Sequence, residues 1–145
     1  MAENGAPWLL AVDGAARGNP GPAGCGAVIY DSSGAVVHEL SKYLGHATNN
    51  VAEYQGLLMG LRAALELGQK NLVIQTDSQL IVRQLTGAYR VKDEKLKVLF
   101  EQARGLLRRL DSYRIVHVGR EMNKFADRLA NRGIDRAIRR RTDAG

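Results

Sequence analysis

The hydrophobic period of this chain shifts from strand-type to helix-type near residue 50, and that change restricts it to a mixed α/β fold. Upstream, short β-type runs alternate with turns. Trp8 to Val12 is an apolar run ending at Asp13-Gly14, and the stretch GNPGPAG that follows is dense in turn residues. Cys25 to Tyr30 reads as a second strand and Asp31-Ser32-Ser33-Gly34 as a tight connection. Ala35 to Leu44 reads as a third strand, with Val37, Glu39 and Ser41 alternating against their neighbours. Three strands joined by short turns predict an antiparallel meander.

Downstream, Val51, Tyr54, Leu57, Leu58, Leu61 and Leu65 recur at spacings of three and four, the mark of an amphipathic helix ending near Gly68. NLVIQT follows as a short apolar strand without alternation, the type buried on both faces of a sheet. Ser78 to Leu85 predicts a short helix. Lys92 to Leu110 predicts a longer one with Leu96, Leu99, Phe100, Ala103, Leu106, Leu107 and Leu110 inward. Tyr113 to Val118 is the last strand, and Asn123 to about Ile138 a final helix burying Ala126, Leu129, Ala130 and Ile134. The order β-β-β-α-β-α-α-β-α predicts an α/β fold: a five-stranded mixed sheet, three antiparallel strands plus two parallel, flanked by helices.

A chain of 145 residues has room for one domain, and no linker divides it. With 45% hydrophobic and 25% charged residues it is too apolar for a disordered segment, and no run reaches the eighteen or so apolar residues of a membrane span. The N-terminal MAENGAPW lacks the basic and apolar regions of a signal peptide, and Cys25 has no second cysteine to pair with. These features predict a soluble cytoplasmic protein, and the accounting of every apolar stripe by one core predicts a monomer. The net charge of +6 is uneven: residues 1–82 carry four basic and seven acidic groups, residues 83–145 seventeen and eight. The basic half is a candidate surface for a polyanion.

Four carboxylates sit where chemistry is possible, although each has a structural reading of its own. Asp13-Gly14 at a strand end is a turn signature. Glu53, three residues after Asn50, completes a capping-box spacing. Asp77 lies between a strand and a helix, the usual place of an N-cap, and Asp127 favours the N-terminal end of the last helix dipole. Convergence is the stronger reading. Strands one and four are joined through a helix, so a right-handed crossover makes them parallel, and Asp13 and Asp77 then end on the same sheet edge. Glu53 and Asp127 enter from the first turns of helices starting at that edge. Four carboxylates in one cleft repel and raise one another's pKa values unless hard cations such as magnesium or manganese occupy the space. Two such ions can clamp the oxygens of a phosphoryl displacement, so these residues point to a metal-dependent nuclease or phosphotransferase.

At the same positions the sequence resembles ribonuclease H of type 1. The matching segments are DGAARGNPGPAGCGAVIYD (13–31), TNNVAEYQGL (48–57), TDSQLIVRQL (76–85) and REMNKFADRLAN (120–131), in order and covering nearly the whole chain. The resemblance implies a ribonuclease H-like fold, with residues 1–138 as the domain and 139–145 as a basic tail. It implies an endoribonuclease that cuts the RNA strand of RNA·DNA hybrids with two metal ions and leaves 3′-hydroxyl and 5′-phosphate ends. Asp13 would bridge both ions, Asp77 and Glu53 would hold the ion nearer the leaving group, and Asp127 the ion nearer the attacking water. Positions matching Asn19, Asn50 and Gln79, with the backbone at Gly14, would read the minor groove, where the 2′-hydroxyl separates RNA from DNA. Thr48 and Asn49 look like the family's pocket for a DNA-strand phosphate.

The chain also departs from the common pattern. Many members carry a histidine in the loop before the last helix, whereas Gly119-Arg120-Glu121-Met122 is short and has none. Arg120 is the group placed to substitute, by holding a phosphate rather than acting as a base. His117, inside the strand YRIVHV, reads as a satisfied structural histidine, and His38 and His46 lack motif support. The segment between Leu85 and Leu110 is too short for the basic protrusion some members insert. Lys92, Lys95, Lys97, Arg108, Arg109 and Arg139 to Arg141 would supply a diffuse, salt-sensitive grip instead. The competing readings are a broader endoribonuclease that also cuts double-stranded RNA, a resolvase on the same fold, and a silent nucleic-acid-binding module. The last would have no use for so costly an acidic cluster.

Overall fold

The computed structural model describes residues 6–144. Strands β1 (Trp8–Ala16), β2 (Gly21–Tyr30) and β3 (Val36–Ala47) form the expected antiparallel meander. Its β2–β3 turn closes on Asp31, whose carboxylate accepts from the backbone N–H groups of Ser33 (2.9 Å) and Ala35 (3.0 Å), with Gly34 at φ +89°. β4 (Asn71–Thr76) lies parallel to β1, and β5 (Ser112–His117) parallel to β4, giving the order β3-β2-β1-β4-β5.

Helix α1 (Asn49–Glu66) crosses one face of β1 and β2 and packs against α3 (Glu94–Leu107), with α2 (Gln79–Leu85) beside them. Tyr54, Leu57, Leu58 and Leu61 of α1 are fully buried against Leu10, Val12, Leu72 and Ile74. α4 (Lys124–Ala144) covers the other face of β1–β3 through Ala126, Leu129, Ala130 and Ile134, the stripe its periodicity predicts. Gly26 makes that packing possible, because a Cβ there would lie 2.4 Å from the Ala126 carbonyl oxygen.

Several element limits differ from the sequence reading, each for a local reason. β1 runs through Asp13 to Ala16 because β2 continues to pair with it there. β2 starts at Gly21 rather than Cys25, and edge strand β3 reaches Ala47 while leaving Val36 and Val37 exposed. α3 is shorter than expected: Asp93 caps it by accepting from Leu96 N–H (3.0 Å). β4 is not buried on both faces. It alternates between buried and half-buried residues, because α4 covers β1–β3 and leaves the outer side of β4 less shielded. α4 continues past Ile138 to Ala144, so the triple-arginine segment is helical rather than an extension beyond the helix. Among the described residues no helix is long and apolar enough to cross a membrane.

Candidate active site

The parallel register of β1 and β4 ends at Ala11 and Gln75, and two further residues on each strand bring the chain to Asp13 and Asp77. Beyond that point β1 pairs only with β2, with Asp13 opposite Gly26, so the site opens where β4 turns away. Asp77 is not a helix cap. Ser78 takes that role by accepting from Ile81 N–H (3.3 Å), which leaves the Asp77 carboxylate free for the cleft.

Glu53 does not complete a capping box either. Thr48 is the N-cap of α1, accepting from Val51 N–H (3.3 Å), so Glu53 falls two residues past the capping-box position. Its carboxylate instead accepts the backbone N–H of Gly14 across the β1–α1 contact. That contact requires glycine: a Cβ at Gly14 would sit 2.2 Å from Ala52 C and 2.3 Å from Glu53 N. The sequence therefore spends a side chain on β1 to press Glu53 against Asp13.

One oxygen from each of Asp13, Glu53 and Asp77 lies within 4.8 Å of the others. Asp13 and Glu53 are each only 5% exposed. Burial pushes the Asp13 carboxyl far above its ordinary range, helped by its hydrogen bond to Glu53 and the charges of Glu53 and Asp77. Burial pushes Glu53 up to about 7, and the Asp77 charge adds to this, while hydrogen bonds from Asp13, Gly14 and Ser78 pull it down. Burial thus favours the protonated forms of Asp13 and Glu53 unless a cation offsets it. The trio is all oxygen, and no cysteine or histidine lines the cavity, so the donor set fits a hard divalent cation rather than a soft metal.

Asp127 is exposed and stands outside the tight trio, yet it lines the same cavity of about 630 Å³ and is close enough to hydrogen-bond Asp13. Asn131, one helical turn on, donates to both the Asp127 carbonyl (3.1 Å) and its carboxylate (3.3 Å). Arg17 anchors this row from the β1–β2 turn, donating to Asn131 Oδ1 (3.1 Å) and pairing with Asp135 (2.7 Å).

Of the expected substrate contacts, Gly14 and Asn49 line the acidic cavity. Asn19, Thr48 and Asn50 line a neighbouring hollow of about 530 Å³ together with His46 and Lys95. Asn19 Oδ1 accepts the Asn49 N–H (3.1 Å), which ties the β1–β2 turn to the start of α1. Gln79, the first residue of α2, is exposed and lines neither. Arg120 begins a 3-10 turn (Arg120–Met122) and faces the acidic cavity. His117 is exposed rather than satisfied in a core and lines no wall of that cavity; His38 is exposed on β3.

Sequence reasoning missed Ser78, Glu121 and Lys124, which also line the cavity. Their signal was proximity in the chain to Asp77, Arg120 and Asp127. It also missed Asn123, only 2% exposed, whose amide donates to the Val12 carbonyl (2.9 Å) next to Asp13. Gln75 braces the same turn by donating to the Met122 carbonyl (2.9 Å). Nothing local announces Asn123, because its partner is 111 positions away.

Comparison with known proteins matches this geometry. A family model described as "Reverse transcriptase-like" matches residues 11–133. Ribonuclease HI of Halobacterium salinarum is 45% identical over 125 residues, 86% of this chain and 63% of that protein. The chain spans only 36% of the mycobacterial proteins it also matches. The crystal structure of RNase H1 from H. salinarum superposes with a TM-score of 0.87 at 43% identity, covering 89% of this chain and 98% of that one. LC11-RNase H1, solved in complex with an RNA/DNA hybrid, gives 0.86 at 42% identity, covering 90% and 99%.

Proposed function

The chain belongs to the type 1 ribonuclease H family, and on that premise we propose that it is a divalent-metal-dependent endoribonuclease that hydrolyses the RNA strand of RNA·DNA hybrids. The observation that carries the reading is the convergence of buried Asp13 and Glu53 with half-buried Asp77, from a strand, a helix and a strand end, within 4.8 Å. The residues that would hold two magnesium ions, or manganese in their place, are these three and Asp127. Bound there, such ions would supply charge neutralisation, an acidified water and stabilisation of the leaving oxygen; with water adding to phosphorus and the 3′ oxygen leaving, the products would carry 3′-hydroxyl and 5′-phosphate ends.

The chain's own groups do the rest. Gly14 N–H fixes one Glu53 oxygen and so holds the carboxylate against β1. Asn131 holds the Asp127 carboxylate over the cavity mouth. Arg120, whose guanidinium cannot take up a proton, orients a phosphate and offsets its charge. Asn19, Asn50 and Gln79, with the Gly14 backbone, read the minor groove, and Thr48 and Asn49 receive a phosphate of the DNA strand at the start of α1. We read residues 1–138 as the catalytic domain and 139–145 as a basic C-terminal tail, of which residues 139–144 continue α4. The free, buried Cys25 suits a reducing cytoplasm, and the protein acts as a monomer.

A panel of one labelled RNA strand, presented alone, paired with DNA and paired with RNA in magnesium, tests the proposal. Cleavage confined to the hybrid supports it. Equal cleavage of the RNA duplex would replace it with a broader endoribonuclease, and tight binding without cleavage would replace it with a silent binding module.

A further inference from the structure

α4 carries a second organised feature on the side away from its core stripe. Lys124, Arg128, Arg132, Arg136 and Arg140 recur every fourth residue, and all five are exposed. Residues four apart form one ridge of a helix, climbing about 6 Å per step, so these cations trace a line about 24 Å long. The line starts inside the candidate active site, because Lys124 is part of the cavity wall.

Two carboxylates of the helix are kept off this ridge. Asp127 and Asp135 lie on the adjacent row, where Asn131 and Arg17 engage them. Arg17–Asp135 is the one ion pair among the described residues, so no described carboxylate forms an ion pair with the ridge, and Arg128 rests on the Phe125 ring, 5.3 Å from its centroid. A helix face meant only for solubility mixes both signs. An all-cationic row in which four of five residues are arginine, the side chain whose planar fork matches phosphate, is built for a chain of phosphates.

We propose that this ridge of α4 is an extended binding surface for the phosphodiester backbone of the substrate, gripping the nucleic acid beyond the cleavage cavity. The identity of that nucleic acid as a hybrid rests on the function proposed above; the ridge itself does not. It replaces a diffuse positive field with a defined track that ends at Arg140, the middle one of the three consecutive arginines.

The test is the salt dependence of binding to a labelled RNA·DNA hybrid several turns long, in EDTA, by fluorescence anisotropy. Each phosphate contact contributes about 0.9 to the slope of log K against log salt. Arg132→Gln/Arg136→Gln is expected to lower the slope by about two and to weaken binding roughly tenfold near physiological salt. Arg132→Lys/Arg136→Lys keeps the slope, since charge is retained. Both sites are exposed, so melting temperatures stay within about 2 °C of wild type. A glutamine variant with the wild-type slope and affinity would overturn the proposal and leave an acidic protein as the better partner for the ridge. Magnesium-dependent hybrid cleavage by the wild-type chain, run alongside, separates the two readings: its absence defeats the hydrolase, and only an unchanged slope defeats the ridge.

Discussion

Asp13→Asn is expected to abolish hydrolysis and, in the absence of metal, to make the protein more stable. In the folded chain the Asp13 carboxyl is held far above its ordinary value of 3.8 by burial and by Glu53 and Asp77. The unfolded chain gives up that proton and the folded chain does not, so the folded state loses ground as pH rises above about 4. Each pH step costs about 1.4 kcal/mol, so by neutrality the cost of Asp13 approaches about 4 kcal/mol. Asparagine keeps the size and polarity but cannot ionise. Recovering about half of that cost gives roughly 2 kcal/mol, or about 5 °C in Tm for a domain of this size. Thermal melts by circular dichroism in EDTA measure it directly. At pH 7 the variant melts higher than wild type, and at pH 3, where the unfolded Asp13 is itself largely protonated, the difference shrinks toward zero. With magnesium the order reverses, because only wild type gains binding energy. A variant no more stable than wild type in EDTA at pH 7 would refute the claim that this carboxyl is strained by its neighbours.

Other substitutions separate the parts of the site. Gly14→Ala drives a Cβ into the α1 backbone at 2.2–2.4 Å, so urea unfolding should register a loss of about 2 kcal/mol or more together with lost activity. Asn123→Ala leaves the Val12 carbonyl unpaired in the interior, and its cost of about 1–3 kcal/mol should come with a lower kcat as the Arg120–Met122 turn loosens. Arg120→Ala should reduce kcat at least tenfold with an unchanged melting temperature, while Arg120→Lys recovers part of it; equal activity in all three would remove Arg120 from the site.

Much of this was readable before any coordinates. Element order and pairing follow from the change of period near residue 50, and the buried stripe of α4 from the spacing of Ala126, Leu129, Ala130 and Ile134. The meeting of Asp13 and Asp77 follows from one crossover rule. Local capping patterns misled where two carboxylates had better partners: Glu53 bonds Gly14, and Ser78 rather than Asp77 caps α2. Strand ends were misjudged where distant pairing extended them, as in β1, whose last residues depend on β2. Asn123 and Gln75 stayed invisible because amide side chains declare no role until a long-range partner is in place. Asp127 was rightly expected at the cavity but not outside the inner trio, a distinction of a few ångströms that spacing does not carry.

The central claim is that the buried carboxylates exist to hold divalent ions for cutting a hybrid. Its most direct test is a magnesium titration of hybrid cleavage by wild type and Asp77→Asn, with hybrid affinity and melting temperature measured on the same samples. The account predicts cleavage that rises with magnesium in wild type and is lost by at least a hundredfold in the variant, with fold and affinity retained. Undiminished cleavage by Asp77→Asn, or cleavage by wild type in EDTA, would contradict it.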